Sequence, residues 1–248
     1  MHRRHFLLTS ASGLAASAMQ SPNYDLFLLS GQSNMAGRGV PEPQDKEPIP
    51  GVFSFNKEHQ WVPAIDPLHW DKPEVIGVGI GRSFARVVRN AHPQSTIGLV
   101  PCAFGGSPLE HWMPGAQHYT NAVARMREAL KHGRLRAILW HQGEAECADL
   151  DKARSYVDRW KIMITSLRND LNSPDVPVIV GQLGPFFVRS PYVRIVNEQL
   201  AMLPAVVPNV AFVPTVGLKH KGDDVHFDTP SFRELGRRYG HAYLMLRA

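Results

Sequence analysis

Three observations predict an α/β/α sandwich, three layers around a parallel sheet of five strands. Short apolar runs suited to buried strands alternate, over most of the 248 residues, with longer segments of helical periodicity. Such alternation requires crossover connections, which make the sheet parallel and cover both of its faces. The apolar runs also end in small polar turns, and in sheets of this kind those turns gather along one edge, where ligands bind.

The first strand is expected over Asp25–Leu29, bounded by turn signals and too short for a helix. It ends in Gly31-Gln32-Ser33-Asn34. This turn either holds the Ser33 hydroxyl at a cleft on fixed backbone, or makes Ser33 or Asn34 an ordinary helix N-cap. It is not a lipase-type elbow, because Met35 stands where that motif places its second glycine. A proline-rich excursion over 40–50 leads to Val52–Asn56 and Trp61–Pro63, read as a hairpin within a surface insertion. Its Trp61, His69 and Trp70 are candidates either for a cleft wall or for packing beneath the loop.

Ile80, Phe84, Val87 and Val88 then recur at helical spacing until His92-Pro93. The second strand, 96–100, runs into Cys102–Trp112, where Gly105-Gly106 indicates close backbone approach or positive φ. A helix over 120–131 and a strand over 135–140 follow, the strand ending in His141-Gln142-Gly143-Glu144. Residues 151–168 form the clearest helix, with Tyr156, Trp160, Met163, Ile164 and Leu167 on one face. A strand over 176–180, a weaker helix through Leu200 and Leu203, and a strand over 210–213 complete the alternation. The last helix starts near Thr229-Pro230, with Thr229 as N-cap or Ser231 and Glu234 as a competing capping box.

A chain of this length, 44% hydrophobic, can bury one core, so residues 19–248 are expected to form a single domain. Residues 1–18 read as an export signal: Arg3-Arg4, an apolar stretch from Phe6 to Ala15, and the small-residue site Ala16-Ser17-Ala18. The run from Arg3 to Leu7 also fits a twin-arginine signal, and a periplasmic or extracellular location is expected. Its apolar stretch is too short to span a bilayer. Loss of Arg3 and Arg4 with this segment lowers the net charge from +5 to +3. No Lys/Arg block remains, which argues against nucleic-acid or membrane-surface partners. Two cysteines, Cys102 and Cys147, cannot make a disulfide framework, although both follow strands and a pairing between them stays open. No metal-binding spacing is present.

Four stretches should converge at the sheet edge: 31–34, 105–107, 141–144 and 223–226. Together they hold the parts of an acyl-transfer site. A serine needs a base, and a histidine base needs a third group to fix its tautomer and stabilise its charge. Asp223 and His226, three residues apart, supply that pair, while glycine N–H groups and the Gln142 amide can bind an oxyanion.

These blocks resemble the SGNH (GDSL-like) hydrolase superfamily. The forms GQSNMAG, GGSPLEHW, WHQGEAE and DDVHFD are similar to its sialate O-acetylesterase and carbohydrate esterase family 6 (acetylxylan esterase-like) branch, over Asp25 to about Tyr243. The resemblance implies a flavodoxin-like fold and removal of acetyl groups from sugar hydroxyls, with no metal or organic cofactor. It implies Ser33 as nucleophile, His226 as general base and acid, and Asp223 as the orienting acid. The oxyanion hole would comprise the N–H groups of Ser33 and Gly105 and the side chain of Gln142, where many superfamily members have asparagine. Asp224 adjoins Asp223 but lacks the three-residue spacing to His226. Glu144 is either an alternative acid or a supporting hydrogen-bond partner, and His141 is a structural neighbour. His111 and Trp112 are candidates for the sugar subsite, with Phe186 and Phe187 as further stacking candidates. An inactive carbohydrate-binding protein and an esterase or thioesterase for non-sugar substrates are the competing readings.

Overall fold

The computed structural model describes residues 23–247, so the expected export signal lies outside the described residues. In chain order the strands are β1 (Tyr24–Gly31), β2 (Val52–Phe55), β3 (Trp61–Pro63), β4 (Thr96–Pro101), β5 (Gly133–His141), β6 (Val178–Gly181) and β7 (Val210–Val213). The helices are α1 (Ser33–Ala36), α2 (Gly81–Ala91), α3 (Gln117–Leu130), α4 (Leu150–Arg154), α5 (Tyr156–Asp170), α6 (Val193–Val206) and α7 (Thr229–Arg247).

All seven strands form one sheet in the order β3-β2-β4-β1-β5-β6-β7, parallel except for the antiparallel edge strand β3. The α/β sandwich is as expected, but the sheet has seven strands rather than five. The hairpin read as a surface insertion extends it, because Val52–Ser54 pairs in parallel with Ile97–Leu99. Trp61 then reaches across the sheet face over Gly98 of β4 and stacks on Tyr24 of β1 at 4.2 Å.

Central strand β1 is buried on both faces. Leu26 and Leu28 enter the core shared with α3, α5 and α6, while Phe27 and Leu29 enter the core under α2 and α7. Each crossover thus contributes an apolar helix face to one side of the sheet, which fixes the carboxyl ends of the strands in one row. The helix expected over 151–168 is divided at Ser155 into α4 and α5. The last helix is capped by neither expected device: Asp228 Oδ1 accepts the Ser231 N–H at 2.8 Å, while Thr229 Oγ1 donates to Val40 O.

Candidate active site

The turn after β1 is shaped by Gly31. Its φ of +131° disfavours side chains, and a Cβ there would lie 2.2 Å from the carbonyl oxygen of His141. Close contact with β5 directs the chain sharply into α1, whose first residue is Ser33. At that position the Ser33 N–H has no intrahelical acceptor.

Residues 222–228 bring the histidine to it. Asp223 Oδ1 accepts the N–H groups of Val225 and His226 at 3.0 and 2.8 Å, folding the segment into a tight turn. Its Oδ2 lies 2.7 Å from His226 Nδ1, and His226 Nε2 lies 3.0 Å from Ser33 Oγ. Burial would raise the Asp223 carboxyl, but these hydrogen bonds and the imidazole outweigh it and hold the pKa at about 2. For His226 burial dominates and lowers the pKa despite the aspartate, so the imidazole is neutral at pH 7 and able to accept a proton.

Asn34 locks this arrangement. Its amide donates to Glu144 Oε1 at 2.6 Å and to Val225 O at 3.0 Å, and its carbonyl accepts the Phe227 N–H. The serine turn, the histidine turn and the end of β5 are therefore tied through one side chain. In the sequence Asn34 reads as a helix cap, and its place beside Ser33 is the available signal for this role.

Several expected site residues are placed elsewhere. The Gln142 carboxamide is fully buried: its nitrogen donates to Glu146 Oε2 and to Ser107 O, and its oxygen accepts from Tyr156. Both amide hydrogens are engaged in this arrangement, so Gln142 presents no free donor at the cleft, unlike the expected oxyanion role. Gly105 lines the cleft, but its N–H donates to Asp71 Oδ2 at 2.7 Å, so it too is already occupied. Asp71 is held in turn by Arg38 at 2.6 Å. The neighbouring Gly106 lines the cleft, and its N–H has no backbone acceptor among the described residues.

Glu144 bonds to Asn34 and is not the partner of His226; burial raises its pKa to about 7, and Oε2 has no protein partner. Asp224 faces His220 instead, 3.2 Å away. His141 is a structural neighbour as expected, buried against Tyr239 Oη at 3.0 Å, with burial lowering its pKa to about 3. Trp112 is core rather than sugar platform: its indole donates to Ser107 Oγ and packs edge-on to Trp140. His111 is exposed beside His118, away from the cleft lining. Phe187 does line the cleft, whereas Phe186 packs on Phe227. Cys102 and Cys147 are both free.

The cleft over Ser33 encloses about 500 Å³, ample for a sugar carrying an acetyl group. Its rim contains Lys72, Arg189 and Lys221 as well as Arg38. Lys72 and Arg189 form no ion pair with a described carboxylate, and Lys221 reaches only Asp223, at 3.8 Å. Among the described residues, the only acidic lining groups are Asp223 and Glu144.

The family profile described as carbohydrate esterase, sialic acid-specific acetylesterase matches residues 23–245. The chain belongs to this family. A probable carbohydrate esterase of Arabidopsis thaliana is 35% identical over 242 residues, 90% of this chain and 91% of that relative. The crystal structure of an Arabidopsis thaliana protein, also 35% identical, superposes with a TM-score of 0.83 and covers 90% of this chain and 99% of that one. The fold is shared with NanS, at 19% identity, a TM-score of 0.76 and coverage of 92% and 99%. It is shared as well with a carbohydrate acetylesterase from Xanthomonas citri, at 20% identity, a TM-score of 0.70 and coverage of 90% and 56%. As a member of the acetylesterase family this chain is an esterase of the carbohydrate type. None of its described helices is long and apolar enough to cross a membrane.

Proposed function

We propose that the protein removes O-acetyl groups from an acidic sugar of the sialic acid type, by nucleophilic catalysis at Ser33. The observation carrying this reading is the unbroken relay from Ser33 Oγ through His226 to Asp223, at 3.0 and 2.7 Å. His226 takes the hydroxyl proton as Ser33 attacks the acetyl carbonyl, then gives it to the departing sugar oxygen. Water, deprotonated by the same imidazole, next releases acetate from the acetyl-enzyme. Asp223 fixes the tautomer with Nδ1–H toward itself and stabilises the imidazolium. The N–H groups of Ser33 and Gly106, both in the cleft lining and without a backbone acceptor there, are the donors left for the oxyanion.

The cationic rim supports a carboxylate-bearing sugar over neutral xylan, because Lys72, Arg189 and Lys221 would attract an anion and give a neutral polymer no comparable advantage. Acetate release by wild type and Ser33→Ala from O-acetylated sialic acid, acetylated xylan and a small acetyl ester tests both levels. Wild-type release that is fastest from the sialic acid ester is expected. Preference for xylan would overturn the substrate class, and release by Ser33→Ala at the wild-type rate would overturn the mechanism. Export through residues 1–18 is part of the same reading, and the amino terminus of protein recovered outside the cytoplasm tests it.

A further inference from the structure

Behind the contact between Asp71 and Gly105 lies a second cavity, of about 210 Å³, whose wall includes Trp70, Cys102, Phe104, Asn121 and Arg125. Arg125 is only 8% exposed and forms no ion pair among the described residues. Its Nε donates to Pro101 O, and its Nη2 donates to the carbonyls of Phe55 and Asn56. Nη1 has no acceptor among the described residues. The rings of Trp70 and Phe55 flank the guanidinium, with centroids 4.5 and 4.9 Å away.

Carbonyls and ring faces satisfy geometry without cancelling charge, and a buried cation with no counter-ion is costly. Glu58, outside the cavity wall, favours the charged form from a distance without pairing with it, and no described residue lining the cavity supplies a counter-ion. Asp71 is committed to Arg38 and the Gly105 N–H. His69, also in the wall, is buried and has no partner at Nε2. Cys102 carries no charge near neutrality, since burial pushes its thiol up to about 12.

We propose that this cavity binds the carboxylate of a small organic acid, with the anion on Nη1 of Arg125 and the body of the ligand between Trp70 and Phe104. One cation with two spare N–H groups matches a monoanion better than a phosphate dianion. The volume corresponds to roughly seven waters, enough for acetate or for one sugar acid ring. The carboxylate therefore has two candidate sources, the acid group of a sugar or the acetate released by the enzyme. The site stands independently of the role of Ser33, because it is read by binding and not by turnover.

Calorimetric titration of the full chain with acetate, with glucuronate and with the neutral glucuronamide tests the proposal. Binding of at least one acid but not of the amide is expected. Binding of acetate alone assigns the site to product, and binding of glucuronate alone assigns it to a sugar acid. Asn121→Asp puts a carboxylate four residues before Arg125 on α3, where it can pair with the guanidinium in place of the ligand. This variant should keep or raise the melting temperature and lose the heat of binding, which locates the acid at Arg125. Absence of binding, equal binding of glucuronamide, or binding that survives Asn121→Asp would each overturn the proposal.

Discussion

The ends of β1 and β5 lie side by side, with Gly31 in register with His141, and each opens into a polar turn containing a glycine. Their chemistry differs completely. After β1, Ser33 Oγ meets His226, itself held by Asp223, at the wall of a cleft. After β5, His141 and Gln142 are fully buried away from the cleft: Tyr239 holds His141 Nδ1 while Nε2 faces no partner, and Tyr156, Glu146 and Ser107 take up the Gln142 carboxamide. A polar residue at the productive edge of an α/β sheet is reactive only where it reaches the cleft with a lone pair or a proton to spend. Tyr156 and Glu146 turn the second station into scaffold.

The largest test of this contrast is Ser33→Ala, expected to lower kcat by about 10⁴-fold to 10⁶-fold with KM little changed, by analogy with other serine triads. Acetate release measures it, and near wild-type turnover would place the chemistry elsewhere. Asp223→Asn should cost about 10³-fold to 10⁴-fold in kcat, because the imidazole loses its tautomer control. The pH profile sharpens this. The active imidazole is neutral, so activity falls as pH drops through the His226 pKa, which burial holds below the ordinary 6.5. Asp223 raises that pKa, and its loss should move the acid limb to lower pH.

Glu144 offers a test of stability. Its pKa is raised from 4.5 to about 7 by burial, so between these values the unfolded chain binds fewer protons than the native one. Stability contributed by the protonated group is therefore lost as pH rises across that interval. Glu144→Gln should recover about 3 kcal/mol above pH 7 and almost nothing below pH 4.5. Urea unfolding at both pH values decides it; an equal effect at both would mean that the carboxyl is not the source.

The smallest effect is expected at Gln142. Gln142→Ala removes one buried partner from Glu146 Oε2 and one from Tyr156, which keep the Leu109 N–H and the residue-142 carbonyl respectively, and should destabilise the fold by about 1–3 kcal/mol, with kcat changed less than about tenfold. A loss nearer 10²-fold in kcat at unchanged stability would restore Gln142 to the oxyanion hole and erase the distinction between the two turns.

Much of this was legible in the chain. Alternating period made the sandwich readable, and the spacing of Asp223 and His226 survives because three residues of tight turn fix their geometry locally. The strand count was not readable: Val52–Phe55 is short, and only pairing with β4 makes it part of the sheet. Nor was the role of Asp71 readable, because it lies in a segment with no periodicity and acts through Arg38 and Gly105, which are remote in sequence.

By itself the sequence determined the layers, the position of the nucleophile turn and the acid–base pair, since each depends on local conformation and on the burial period of one segment. Tertiary structure alone decided which polar groups are free. Availability of a donor depends on partners up to 193 residues away, as in the contact of His226 with Ser33, and no local pattern encodes such distances. The same reason separates Gln142, enclosed by Tyr156 and Glu146, from Arg125, left at its cavity wall with no ion-pair partner among the described residues.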